Sequence, residues 1–176
     1  NVIQIIKSRK SIYPSQFSGK ILEDSIISEL IDVSNHAPSH KMTQPWVYRV
    51  FTSKTKDKLL NHILNINYEN FRKHQVDKIK VKFQLTSHII CICMRRDKYK
   101  SVPEWEELAA TSMAVQNLWI AMVNSKVGGY WSTPKYSKDL SSFLKLNEGE
   151  RCLGLFYLGN VENEISKNLL RKDISK

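Results

Sequence analysis

The amino-acid sequence predicts one domain of mixed helices and strands that is not a doubly wound α/β fold. Its 176 residues are enough to bury a hydrophobic core within a single domain. The predicted elements are mostly helices with separated strands, and they lack the strict strand–helix alternation of a doubly wound sheet. No Gly-x-Gly-x-x-Gly segment follows a predicted strand, and we therefore expect no Rossmann dinucleotide site.

Hydrophobic periodicity defines the elements of the first half of the chain. Apolar residues recur at helical spacing in residues 23–35, and the first turn of that segment is acidic. Residues 37–46 form a loop framed by two prolines. The other predicted elements are a helical turn at residues 2–6, a loop at 12–19, a strand at 47–52, a helical stretch at 54–82 with one break near 65–67, and a buried strand at 87–94.

A long apolar helix, predicted for residues 103–126, dominates the second half. A helix that is apolar over most of its circumference is buried, and in a chain this small we expect a partner subunit to cover one side. Gly128 and Gly129 are predicted to end this helix. An extended segment at 130–134, a short helix at 137–144 and a strand at 151–158 follow. Four small residues are expected to permit close approach of the partner: Ala109, Ala110, Ala114 and Ala121.

Composition describes a globular protein without a membrane span. Hydrophobic residues make up 41% and charged residues 25%, a composition that is typical of a globular protein and not of a disordered chain. The longest apolar run, residues 89–94, is too short to cross a bilayer, and we expect no secretory signal segment because no charged-then-apolar pattern is found among the first residues. Cys91, Cys93 and Cys152 are expected to be buried thiols in a reducing compartment, with the first two on one face of a strand. We therefore predict a cytoplasmic protein, and the spacing of its Cys and His residues gives little support to a zinc site.

The net charge of +10 raises the question of an anionic partner. Nucleic acid, an anionic membrane surface and a phosphorylated small molecule are the candidates. Lysine and arginine are concentrated in residues 54–82, where they alternate with apolar residues, and the solvated face of an amphipathic helix explains that pattern. No basic face with interleaved aromatic residues and no nucleic-acid motif is present, so we expect neither nucleic acid nor a membrane as partner.

Two segments carry candidate binding residues. Arg9, Lys10 and Ser11 place two cations and a hydroxyl beside a loop, which suits a phosphate, although a solvated helix end is the simpler interpretation of three residues alone. The proline-framed loop and its flank carry His36 and His40, and Pro38 between them disfavours the helical geometry of a metal pair. No Gly-x-Ser-x-Gly motif or carboxylate pair is evident. A cofactor that performs the chemistry itself fits these features.

Four segments, in order along nearly the whole chain, resemble the nitroreductase family of flavoproteins. Arg9-Lys10-Ser11 is similar to the family's Arg-Arg-Ser opening, and APSHKMTQPW (residues 37–46) is similar to the Ala-Pro-x-His-Lys-x-x-Gln-Pro-Trp loop of its short, single-domain members. VPEWEELAATSMAVQNLWIAMVNSKVGGYWST (residues 102–133) resembles the central dimer-forming helix followed by Gly-Gly-x-Trp. LGLFYLGN (residues 153–160) resembles the last strand.

The resemblance implies an α+β fold, with an antiparallel-dominated sheet flanked by helices, in a single domain that spans residues 1–176. It also implies a homodimer that binds FMN between its subunits. NADH or NADPH would reduce the flavin, and a nitroaromatic, a quinone-like compound or another small acceptor would reoxidise it in a ping-pong cycle. An alternative is a non-catalytic module of the same fold that binds flavin or another nucleotide.

Site residues follow from the same resemblance. Arg9, Lys10 and Ser11 would hold the phosphate and the ribityl or pyrimidine edges, while His40 and His36 would approach from the other subunit. Trp131, Ser132 and Thr133 would run along the flavin, and no protein residue would be catalytic in its own right. The sequence departs from the family at Met42, where larger members often have asparagine. It also departs at Ser132, where some short members have an arginine beside the phosphate. Either Lys135 or Arg171 could take the place of that arginine, and the sequence does not decide between them.

Overall fold

The computed structural model describes residues 1–67, 69–162 and 171–174. Within them, four strands form one antiparallel sheet in the order β1-β2-β4-β3. The predicted α+β fold with an antiparallel sheet is confirmed. The strands are β1 (Trp46–Thr52), β2 (His88–Arg95), β3 (Val127–Ser132) and β4 (Glu150–Asn160).

Five α-helices and three short 3₁₀ segments surround the sheet in the described residues. The break predicted inside the basic helical stretch is confirmed, because two separate helices flank residues 67–72. The helices are α1 (Val2–Ser8), α2 (Asp24–Ser34), α3 (Ser53–Ile66), α4 (Lys73–Leu85) and α5 (Glu104–Ala121). The 3₁₀ segments are Pro14–Gln16, His40–Met42 and Lys135–Leu140.

Strand β2 divides the core into two layers. Alternate side chains of a strand point to opposite faces, and every residue from His88 to Met94 is buried because both faces of this strand are covered. Cys91 and Cys93 face the layer under α3, α4 and the segment Lys135–Leu140, as predicted. Ile90 and Ile92 face the other layer, which α2 and α5 cover. The second layer is the one that positions the candidate site.

Three boundaries differ from the sequence prediction. Helix α5 ends at Ala121, and Gly128 and Gly129 lie inside β3 instead of ending the helix. These glycines are needed for packing, since a Cβ on Gly129 would lie 2.4 Å from the Phe156 ring. Strand β4 continues through Gly159 to Asn160, where a Cβ on Gly159 would meet the Phe17 ring at 2.3 Å. The predicted helix at 137–144 is the 3₁₀ segment Lys135–Leu140.

Two of the alanines expected at a subunit interface face the interior of their own subunit. Ala110 and Ala114 are buried in a cluster with Ala37 and Trp46. The sequence prediction for these two is wrong, because their side chains are only 2% and 0% exposed and are covered by residues of their own subunit.

None of the described helices is both long enough and apolar enough to cross a lipid bilayer.

Candidate functional site

Arg9 and Ser11 line a cavity at the start of the chain. Helix α1 ends at Ser8, and the extended backbone of Arg9 turns the chain away from the helix axis. The cavity has a volume of about 760 Å³, and the side chains around it come from three distant parts of the chain. They are Ile6, Lys7, Arg9, Ser11, Gln116, Trp119 and Arg171.

The wall of this cavity is strongly electropositive. The Arg9 guanidinium lies over the Trp119 indole, 4.6 Å from the ring centre. Burial, and secondarily the positive charge of Arg171, lower the pKa of Arg9. No carboxylate forms an ion pair with either arginine among the described residues. Two like charges near each other, one on the partly buried Arg9 and one on the exposed Arg171, favour the binding of an anion.

Lys10 lies apart from its two neighbours in sequence. It lines an adjacent cavity of about 540 Å³, formed by the end of α5, the start of β3 and the residues just after β4. Trp119 lines both cavities. The structure therefore brings together Arg9 and Ser11, and places Lys10 in the neighbouring cavity.

The proline-framed loop is attached to the first turn of α5. His40 Nδ1 lies 2.6 Å from Glu106 Oε2, and Lys41 Nζ donates to the Ser101 carbonyl at 3.0 Å. Lys41, Met42 and Gln44 all have positive φ, between 41° and 54°. Such left-handed backbone costs energy for residues other than glycine, and it persists only where the surroundings hold it in place.

His36 and His40 do not form a pair. Helix α2 ends at Ser34, and the exposed His36 lies in the turn that follows it. His40 begins a separate 3₁₀ segment. In the described part of the chain, no group of His, Cys, Asp and Glu side chains has the arrangement of a metal site.

Trp131 and Ser132 are the last two residues of edge strand β3, and Thr133 follows them. Trp131 pairs with Phe156 of β4, and the Trp119 ring packs edge-on against the same Phe156 ring at 5.1 Å. This segment is thus linked to the Arg9 cavity through one buried ring. Gly154 allows the close approach, because a Cβ there would lie 2.4 Å from the Ser132 carbonyl oxygen and 2.7 Å from Trp131 Nε1.

A Ser–His–Asp chain occurs elsewhere but does not form a hydrolytic site. Ser87 Oγ lies 2.8 Å from His88 Nδ1, and His88 Nε2 lies 2.9 Å from Asp24 Oδ1. Ser87 is fully buried, and its hydroxyl oxygen accepts the Leu22 backbone N–H at 2.7 Å. A nucleophile needs access to substrate, so this network serves to attach α2 to the sheet.

Sequence reasoning missed three residues of this region. Gln116 and Trp119 lie on a helix that the sequence presents as apolar, and nothing in that pattern distinguishes cavity-lining from core positions. Glu106 belongs to an acidic first turn, which usually reflects only the helix dipole. Of the two alternatives left open by the sequence, the structure places Arg171 at the Arg9 cavity, while Lys135 begins the 3₁₀ segment after β3 and is not among the cavity's lining residues.

Comparison with known proteins identifies the family. The model of the nitroreductase family matches residues 6–160. The chain belongs to the nitroreductase family. The predicted resemblance is therefore confirmed, and membership supports an oxidoreductase.

Three known proteins are similar in sequence or structure to most of this nitroreductase-family chain. It is 23% identical over 161 residues to YfhC of Bacillus subtilis, which is named as an NAD(P)H nitroreductase, covering 88% of this chain and 81% of that protein. A nitroreductase-like family protein from Bacillus cereus has a TM-score of 0.82 at 21% identity, with 98% and 91% of the two chains covered. NfnB of Mycobacterium smegmatis, described as an FMN-dependent nitroreductase in complex with NADPH, has a TM-score of 0.70 at 15% identity, with 91% and 87% covered. At these identities the structural matches establish the fold.

Proposed function

We propose that this protein is an FMN-dependent oxidoreductase that takes hydride from NADH or NADPH and reduces a nitroaromatic, quinone-like or other small acceptor. The observation that carries the proposal is the cationic wall formed by Arg9 and Arg171 beside the Ser11 hydroxyl. Names of relatives are consistent with it, since NfnB is described as FMN-dependent and as binding NADPH.

The residues present fit the phosphate end of FMN. A guanidinium group offers paired donors that match phosphate geometry, and a serine hydroxyl adds another donor. The volume of about 760 Å³ is within the range of small-molecule sites. No described carboxylate competes for Arg9 or Arg171, so an anionic ligand would neutralise them.

In this proposal the protein binds and orients, and bound FMN supplies the hydride chemistry. Arg9 and Arg171 would hold the phosphate, and Ser11 would donate to the phosphate or to the ribityl chain. The segment Trp131, Ser132 and Thr133 would border the ring, and Phe156 links this segment to Trp119. Because the reductant and the acceptor would use this one site in turn, we expect ping-pong kinetics.

A homodimer is part of the proposal, because the two candidate regions are separate within one subunit. His40 lines a cavity of about 360 Å³ with Pro38, Trp105 and Met113, and no residue of the Arg9 cavity lines it. In this proposal a site that includes both His40 and Arg9 would therefore take them from two chains. Trp105 is 67% exposed and Met113 is 41% exposed on α5, which leaves an apolar surface for a partner subunit.

An absorbance spectrum of the purified protein, followed by addition of NADH or NADPH, tests the proposal. We expect visible flavin bands, an FMN content near one per chain, and rapid bleaching under anaerobic conditions. A colourless protein that also fails to take up added FMN would overturn the proposal. Stable colour without bleaching by either nucleotide would favour the non-catalytic flavin-binding module.

A further inference from the structure

Glu106 and His40 are connected by the short contact between His40 Nδ1 and Glu106 Oε2, at 2.6 Å. We propose that Glu106 is a positioning residue that fixes the orientation and proton placement of His40 toward the flavin. The inference rests on the proposed function, in which His40 of one subunit approaches the FMN of the other. Glu106 itself touches no cofactor atom in this proposal and acts only through the imidazole.

The chemistry of the pair determines which histidine nitrogen faces outward. An ionised carboxylate accepts hydrogen bonds and donates none, so the proton of the contact must lie on His40 Nδ1. Nε2 is then the ring nitrogen outside this contact, and the contact favours one orientation of the ring over the flipped one. The Glu106 side chain is 23% exposed, whereas that of His40 is 57% exposed, so the carboxylate is the more firmly enclosed partner.

The acidic first turn of α5 gives each of its carboxylates a different partner. Glu104 pairs with Arg151 at 2.7 Å, and the buried Glu107 pairs with Arg96. Only Glu106, among the three, reaches the proline-framed loop. A general effect of negative charge at the helix N-terminus would be shared by all three, so a specific role of Glu106 can be separated from it.

The loop that carries His40 also needs external support. Its consecutive residues Lys41 and Met42 have positive φ, which by itself disfavours this conformation. Lys41 holds one side of the loop through the Ser101 carbonyl, and Glu106 holds the side that carries the imidazole. Loss of the Glu106 carboxylate would therefore release the His40 ring while the Lys41 contact remains.

The test compares Glu106→Gln with Glu104→Gln in the full-length protein. Glutamine keeps the size of the side chain but can donate as well as accept, so it no longer dictates the proton position on His40. We expect Glu106→Gln to weaken FMN binding roughly 5- to 30-fold, measured by flavin fluorescence. Glu104→Gln removes one negative charge from the same turn and should change binding less than about 2-fold, as expected for an exposed ion pair.

Two further readouts separate positioning from general structure. In a His40→Gln background, Glu106→Gln should cause no additional loss of FMN affinity, because Glu106 acts only through His40. Nitrogen NMR of the histidine side chains should show His40 protonated at Nδ1 in the wild type and a changed tautomer mixture in Glu106→Gln, with or without FMN.

The positioning role would be overturned if Glu106→Gln lowered FMN affinity equally in the wild-type and His40→Gln backgrounds. It would also be overturned if the His40 tautomer did not change in Glu106→Gln, or if Glu104→Gln weakened FMN binding as much as Glu106→Gln does. These results leave the proposed function intact, since wild-type protein would still bind FMN. A wild type that binds no FMN would overturn the proposed function and this inference together, so the two failures are distinguishable.

Discussion

The guanidinium carbon of Arg9 lies 4.6 Å from the centre of the Trp119 ring, so a cation at the start of the chain is positioned by an aromatic residue of α5. Cation–π contacts of this kind contribute about 0.5–2 kcal/mol and restrict the side chain to one direction. The same Trp119 ring packs against Phe156 of the central sheet. The proposed phosphate contact thus has a rigid support that reaches into the core.

Replacement of Arg9 by alanine should weaken FMN more than riboflavin. A charge-assisted phosphate contact is worth roughly 1.5–3 kcal/mol, or about 10- to 150-fold in affinity. Arg9→Lys should keep part of the affinity, because it retains the charge and loses the paired donors. Fluorescence titration with both ligands checks this. An equal loss for FMN and riboflavin would mean that Arg9 does not meet the phosphate.

Introduction of a charge on the exposed side of α5 should separate the proposed dimer. Met113→Glu would bury an unpaired carboxylate in an interface expected to exceed about 2,000 Å². Light scattering should report a monomer, and the same sample should lose its flavin. Val81→Glu is the control, since Val81 is 52% exposed on α4, which packs on the other face of the sheet. A Met113→Glu monomer with full flavin occupancy would contradict the interface site.

Replacement of Gly154 by alanine should destabilise the protein through the end of β3. Its φ is +143°, and an added Cβ would lie 2.4 Å from the Ser132 carbonyl oxygen. Gly149→Ala is the control, with φ +80° but no neighbour of its Cβ closer than 3.6 Å. We expect backbone strain to destabilise both variants by about 1–2 kcal/mol. Crowding of the added Cβ should destabilise Gly154→Ala by a further ~1–3 kcal/mol. Denaturant unfolding measures both, and equal values would contradict the close approach.

Alkaline pH should destabilise the core around Tyr136. Burial raises the pKa of its phenol from 10.0 to about 12, and burial also holds the pKa of Tyr157 well above its ordinary value. Between pH 10 and about pH 12 the folded state retains the Tyr136 proton that the unfolded state loses. The stability that Tyr136 contributes is therefore complete below pH 10 and declines as the pH rises through about 12.

Tyr136→Phe provides the comparison for the alkaline window. It should lower stability at pH 8 by about 1 kcal/mol, because the hydroxyl contact with Tyr157 is lost. Between pH 10 and pH 12 it should lose less unfolding free energy than the wild type, since one titrating phenol is absent. If the unfolding free energy fell equally steeply with pH in both proteins, Tyr136 would not titrate in this way.

Much of the architecture follows from local sequence alone. The run from Ile89 to Met94 predicts a strand that is buried on both faces, because it is apolar without alternation, and β2 has that environment. Periodicity likewise predicts α2 to within a residue at each end. The order of the four motifs, from Arg9-Lys10-Ser11 to the last strand, predicts the family, which the family comparison confirms over residues 6–160.

Tertiary structure alone decides which residues meet. Periodicity reports that Ala110 and Ala114 are buried but does not report what covers them, and the covering surface is their own subunit. The pairing of Arg9 with Trp119, and of His40 with Glu106, joins residues far apart in sequence. Such pairs depend on how α5 lies across the sheet order β1-β2-β4-β3, a global property that no local pattern encodes. The sequence determines the elements and their apolar faces, whereas long-range packing decides the composition of the site.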